Sequence, residues 1–205
     1  EQLVSNALRL FLIIAIPFTA GALIIGPSVV AALTTPEMAF AGRWAVPLIA
    51  IGMMFYGIII LLSSVAFVTR QTSVIFTTNL IAIVGNVALN LVFLSIWPTV
   101  TVPAAVSAIV YGVAFSYALY KVRKHFRISF HWSSLIRSIL ATLVMSAGLC
   151  LTGYTPGTIG STDILILGLT VFAAMVSYFA VFLVIGGLPA VDRAALAILI
   201  RQHRN

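Results

Sequence analysis

The chain has 205 residues, of which 62% are hydrophobic and only 7% charged, and its mean hydropathy is +1.19. That is far too little charge to cover the surface of a water-soluble domain of this length. The net charge of +7 invites a nucleic-acid reading, but the basic residues are dispersed between apolar runs rather than gathered on one polar surface.

Apolar runs near or above the roughly 20 residues that cross a hydrocarbon core recur along the chain. The first covers about Ala7–Leu33 and contains Pro17 within IAIPFTAGALIIG, followed by Gly21 and Gly26. Pro17 removes a backbone donor, so Pro17 and Gly21 are candidate hinge residues; a static kink relieved by packing is the alternative. The run ends at TTPEMAFAGR, where Pro36 and Glu37 mark an expected loop. The second run, about Trp44–Val68, has Pro47 in its first turn and closes at the short polar stretch around Arg70. The third, about Val74–Ile96, contains Asn79, Asn86 and Asn90 and gives way to WPTVTVP.

The fourth run, about Ala104–Tyr120, precedes the basic stretch KVRKHFRISFHW. The fifth covers about Leu135–Tyr154 and the sixth about Ile164–Leu188. Residues 189–205 form a short tail, expected to rest on the membrane interface. The expected fold is all-α: a polytopic transmembrane helical bundle of six spans over residues 1–188.

Six spans place both termini on one side. On that side fall Arg9, Arg70, Lys121, Arg123, Lys124, Arg127, Arg137, Arg193, Arg201 and Arg204, and only Arg43 falls opposite, beside Glu37. Basic residues are retained on the cytoplasmic face, so both termini are expected there, in a multi-pass protein of the cell membrane. The segregation accounts for the net charge through membrane lipids and topology, with no nucleic-acid partner.

Helices in lipid associate through close approach and interhelical hydrogen bonds. The fourth run offers Ala104, Ala108, Gly112 and Ser116 at four-residue spacing, and the fifth offers Ser138, Thr142, Ser146 and Cys150. Cys150 is the single cysteine and reads as a small packing residue. The carboxylates Glu1, Glu37, Asp163 and Asp192 avoid the middle of every run, and Asp163 is placed to cap the sixth helix. His125, His131 and His203 sit in expected cytoplasmic segments. No metal-ligand cluster, nucleophile–base pair or phosphate-cradling loop is legible, so neither enzyme activity nor a cofactor is expected.

Asn79, Asn86 and Asn90 are seven and four residues apart, which at about 100° per residue confines them to an arc of roughly 40° on one helix face. Amides facing lipid have no partners, so the stripe must face protein or water. Interhelical bonding and cavity lining are both open to it.

The order of these features resembles the C-terminal part of polysaccharide and O-antigen flippases of the multidrug/oligosaccharidyl-lipid/polysaccharide exporter superfamily. The resemblance is best over Asn79–Tyr120: an Asn-x-x-Leu-Asn stretch reads NVALN at Asn86–Asn90, an apolar-Pro ending follows at Ile96–Pro98, and Pro103-Ala104-Ala105 stands where Gly-Ala-Ala is usual. It implies that a matching N-terminal bundle precedes these six spans in the intact protein. It also implies alternating access, with the headgroup of a lipid-linked oligosaccharide in a polar cavity between bundles. Candidates to line that cavity are Asn79, Asn86, Asn90, Arg9 and Arg70. A cation-coupled multidrug exporter of the same superfamily and a non-transporting membrane scaffold are the competing expectations.

Overall fold

The computed structural model describes residues 2–124, 132–154, 159 and 163–186. They form seven helices: α1 (Gln2–Leu33), α2 (Pro36–Gly42), α3 (Ala45–Val68), α4 (Thr72–Ile96), α5 (Thr101–Arg123), α6 (Trp132–Leu151) and α7 (Ile164–Val184). All except the short α2 are long and apolar enough to cross a membrane. The chain is an all-α, multi-pass membrane bundle.

The ends of the helices follow from local chemistry. Where a loop is expected at Pro36 and Glu37, the structure has a short helix instead. Thr35 caps it through its side-chain oxygen on the Met38 amide, and Pro36 occupies the first turn, where its missing N–H costs nothing. Asp163 caps α7 through the Leu165 amide at 2.9 Å. α6 stops at Leu151, three residues before the expected end, because Gly153 takes a left-handed conformation (φ 90°). The Gly153 and Tyr154 amides then turn back onto the Cys150 and Leu149 carbonyls. α7 is likewise shorter than expected, closing at Val184 with Gly186 at φ 79°. The expected end at Leu188 and the tail 189–205 lie outside the described residues.

Packing runs in a chain of neighbours: α4 lies on α5, α5 on α3, α3 on α1, and α1 on α6 and α7. α1 therefore belongs to two buried clusters. Leu8 joins Ile58, Leu62, Val65, Ala118 and Val122 of α3 and α5. Ile13, Ile24 and Ile25 join Met145, Leu149 and Phe182 of α6 and α7. With 32 residues α1 is about 48 Å long, well beyond a hydrocarbon core of about 30 Å.

Close approach rests on small residues. A side chain added at Gly57 would place its Cβ 2.2 Å from the Phe11 ring of α1, so the aromatic ring fills the space that glycine leaves. At Gly52 a Cβ would stand 3.4 Å from the Ala108 backbone, bringing α3 and α5 nearly into main-chain contact. Of the two expected small-residue rows, the halves that pack are Ala104 with Ala108 and Ser138 with Thr142; Ser116 and Cys150 are exposed. The remainder of α5 buries a second stripe, Val106, Val110, Ala114, Ala118 and Val122, because that helix is covered from two sides.

One contact ties the second cluster together. Pro17 has no N–H to give to the Ile13 carbonyl four residues earlier. The Tyr178 hydroxyl of α7 donates to that carbonyl at 2.7 Å. Tyr178 is in turn bonded to the Ser138 hydroxyl of α6 at 2.9 Å. The residues are 2% and 0% exposed, so no water competes. One proline thereby recruits two other helices.

Replacing Tyr178 by Phe should destabilise the bundle by about 1–2 kcal/mol, the cost of stranding a buried carbonyl. In a Pro17→Ala background the helix regains its own donor, so the same change should cost less than half as much. Unfolding titrations of the four proteins in detergent form the thermodynamic cycle that checks this.

Candidate functional site

The three asparagines of α4 share one helix face but not one environment. The Asn86 amide donates to the Ser107 hydroxyl of α5 at 3.2 Å. Asn90 donates to the Asn86 side-chain oxygen at 2.6 Å and to its carbonyl at 2.8 Å, which completes a relay from α4 to α5. The Asn90 Oδ1 is enclosed and accepts no hydrogen bond. The antiparallel register that sets Asn86 against Ser107 brings Asn90 level with Pro103, a residue with no N–H to offer. Asn86 is thus an interhelical contact, braced from within α4 by Asn90.

Asn79 is different. Thr78 takes the buried position at this level and satisfies its hydroxyl on the Val74 carbonyl at 2.7 Å. Asn79 is left exposed at the margin, where α3 and α4 diverge around a groove of about 520 Å³. Ser63, Ser64 and Tyr56 of α3 line the same groove, among Ile59, Ile60, Phe67 and Ile75. Elsewhere the outward face of α4 is hydrocarbon, including Phe76, Ile83, Val87 and Leu91, as lipid contact requires. Four polar side chains on one open groove at membrane depth form the candidate site.

Arg70 stands in the turn that joins α3 to α4, next to this groove. It is the one described non-glycine residue with positive φ, at 56°. Its amide bonds to the Phe67 carbonyl at 3.1 Å and the Gln71 amide to the Ala66 carbonyl at 2.7 Å, the double turn that glycine usually terminates. An arginine in the left-handed region costs about 1–2 kcal/mol relative to relaxed backbone. Arg70 is exposed, two residues beyond Val68 of the groove lining.

The other candidates lie apart. Arg9 is packed inside the bundle, 9% exposed, beside the buried Ser5 and Leu8. Pro17 and Gly21 line a second, apolar groove of about 400 Å³ formed by α1, α6 and α7. Arg43 lies alone among the described cations at the opposite end, its guanidinium 4.3 Å from the Phe40 ring. Lys121 and Lys124, at the end where α1 begins, extend over Tyr117 and Tyr120. Arg137 donates to the Gly186 carbonyl and so closes the C-terminus of α7. Arg127, Arg193, Arg201, Arg204, the three histidines, Glu1 and Asp192 lie outside the described residues.

Sequence reasoning missed Ser63, Ser64, Tyr56 and Tyr178. The adjacent serines within an otherwise apolar run were a legible signal of the same kind as the asparagines. Tyr178 had no such signal, since one tyrosine in a membrane helix needs only a single partner.

No family model, curated protein or solved structure matches the chain.

Asn86→Ala should lower folded abundance and reduce stability by about 0.6–1.7 kcal/mol, the range for interhelical hydrogen bonds in membranes, whereas Asn79→Ala should leave both unchanged. Arg70→Gly should raise stability by about 1 kcal/mol through relief of the left-handed backbone. Thermal unfolding of the three purified variants beside the parent protein measures all of these effects.

Proposed function

We propose that the chain is one wall of a membrane transporter that moves a lipid-linked oligosaccharide across the cell membrane by alternating access. The observation that supports this reading is the α3/α4 groove, where Asn79, Ser63, Ser64 and Tyr56 stand open within a membrane-spanning pair. Ser64 returns its hydroxyl to the Ile60 carbonyl at 3.1 Å; hydrocarbon cannot satisfy Asn79, Ser63 and Tyr56, and they are not spent on interhelical bonding as Asn86 is. An amide, two hydroxyls and a phenol suit sugar hydroxyls and phosphate oxygens, and Arg70 adds a cation two residues beyond Val68 of the lining. The resemblance to polysaccharide flippases points the same way. In this reading the groove receives the headgroup while the prenyl tail stays in lipid, and the facing wall comes from a further bundle. The chain binds and relays but catalyses no covalent step. Arg9, buried in this conformation, contributes only if the cycle uncovers it.

A non-transporting scaffold is the second reading, favoured by the Asn86–Ser107 relay and the close α3/α5 approach at Gly52. Both features hold helices together without regard to any substrate.

Deleting the gene should stop surface polysaccharide assembly while glycan still accumulates on its lipid carrier. Complementation with Asn79→Leu at normal abundance should lower export by about tenfold to a hundredfold, as expected for loss of a hydrogen bond of about 1.5–3 kcal/mol to a charged headgroup. Unchanged surface glycan in both strains favours the scaffold.

A further inference from the structure

The second groove has a different character. It runs along α1 from Ile14 to Val29, with Pro17 and Gly21 in its floor and Met175 and Phe179 of α7 on its far side. Its lining is almost entirely apolar. Sixteen residues of helix measure about 24 Å, more than the roughly 15 Å hydrocarbon depth of one leaflet. An apolar groove of that length accommodates one extended hydrocarbon chain reaching across a leaflet.

Two further features give the groove a direction. A Cβ built at Gly21 meets nothing within 4 Å, so the glycine leaves the channel open, whereas a Cβ at Gly26 would press on Val46 at 2.9 Å. Val46 lines the groove at the end opposite the start of α1, and Arg43 lies one turn before it. Arg43 is the one described cation at that end and rests on Phe40, with the half-exposed Trp44 beside it at the depth where aromatic residues meet headgroups.

We propose that this groove is a phospholipid site: the acyl chain of an anionic phospholipid lies between α1 and α7, and its phosphate sits against Arg43. A guanidinium pairs with a phosphate through two parallel hydrogen bonds, and Arg43 supplies the cation where an ordered chain would bring its headgroup. The occupant fills space that packing leaves open between two helices already joined by Tyr178. This site is separate from the α3/α4 groove and does not depend on transport.

The test uses the full-length protein in phosphatidylcholine vesicles that contain phosphatidylglycerol with a photoreactive acyl chain. After illumination, cross-linked peptides should map to residues 14–29 and 171–179. Gly21→Phe should reduce that labelling about tenfold, equivalent to about 1.4 kcal/mol of lost chain packing. Gly168→Phe, on the exposed side of α7, should leave it unchanged. Arg43→Gln should lower the preference for the phosphatidylglycerol probe over a phosphatidylcholine probe about fivefold, the contribution of one interfacial cation. If Gly21→Phe is not recovered folded, Gly21→Leu should give a smaller loss of the same sign. Labelling spread evenly over every lipid-facing helix, or insensitive to both groove substitutions, overturns the site. So does a headgroup preference that survives Arg43→Gln, or cross-linking of the groove to another polypeptide segment in place of lipid.

Discussion

Hydrocarbon provides no hydrogen bonds, so a carbonyl that loses its helical partner has to find another inside the protein. Pro17 creates such a carbonyl at Ile13, and the Tyr178 hydroxyl meets it, braced by Ser138. This fixes the register of α7 and α6 against α1 at one level. α1 also carries the contacts to α3, through Phe11 in the space above Gly57. The helix that joins the two buried clusters is thus the one whose own hydrogen bonding is incomplete. Pro17 lies in that joint, and the carbonyl it leaves free is bonded by Tyr178 in this conformation.

The same rule sorts the polar groups of the spans. Thr78, Thr142 and Thr170 each return their hydroxyl to a carbonyl four residues back. Asn86 and Asn90 bond within α4 and across to Ser107. Asn79 and Ser63 stand at an open groove instead, beside Ser64 and Tyr56. α4 meets α3 over much less surface than α5 does, so the groove exists because the α3/α4 pair diverges while both helices rest on α5. Function is best sought where packing leaves polar groups exposed.

Much of this architecture was legible in the sequence. Six runs of sufficient length gave six membrane-length helices, and the cap at Asp163 followed from residue type. The helix at Pro36–Gly42 carried its own signal, a threonine before a proline, outweighed by the expectation that prolines mark loops. The asparagine stripe was visible as a helical face, but its division was not. Periodicity reports direction around one axis, whereas Asn79 and Asn86 differ in which neighbour has moved away. Tyr178 was beyond reach for a related reason: its partner lies 165 residues earlier in the chain and is a backbone carbonyl. Arg70 could be read as a charge at the membrane surface, but not as a left-handed turn residue.

The account stands on the α3/α4 groove being wet. Cys150 is the only native cysteine, so a Cys150→Ala background allows single thiols to be introduced at Asn79 and, as a lipid-facing control on the same helix, at Ile83. Labelling sealed vesicles with a membrane-impermeant maleimide should modify Asn79→Cys from the side on which α1 begins, while Ile83→Cys stays unmodified. Equal protection of both positions would contradict the account, since it would make Asn79 one more membrane-buried residue.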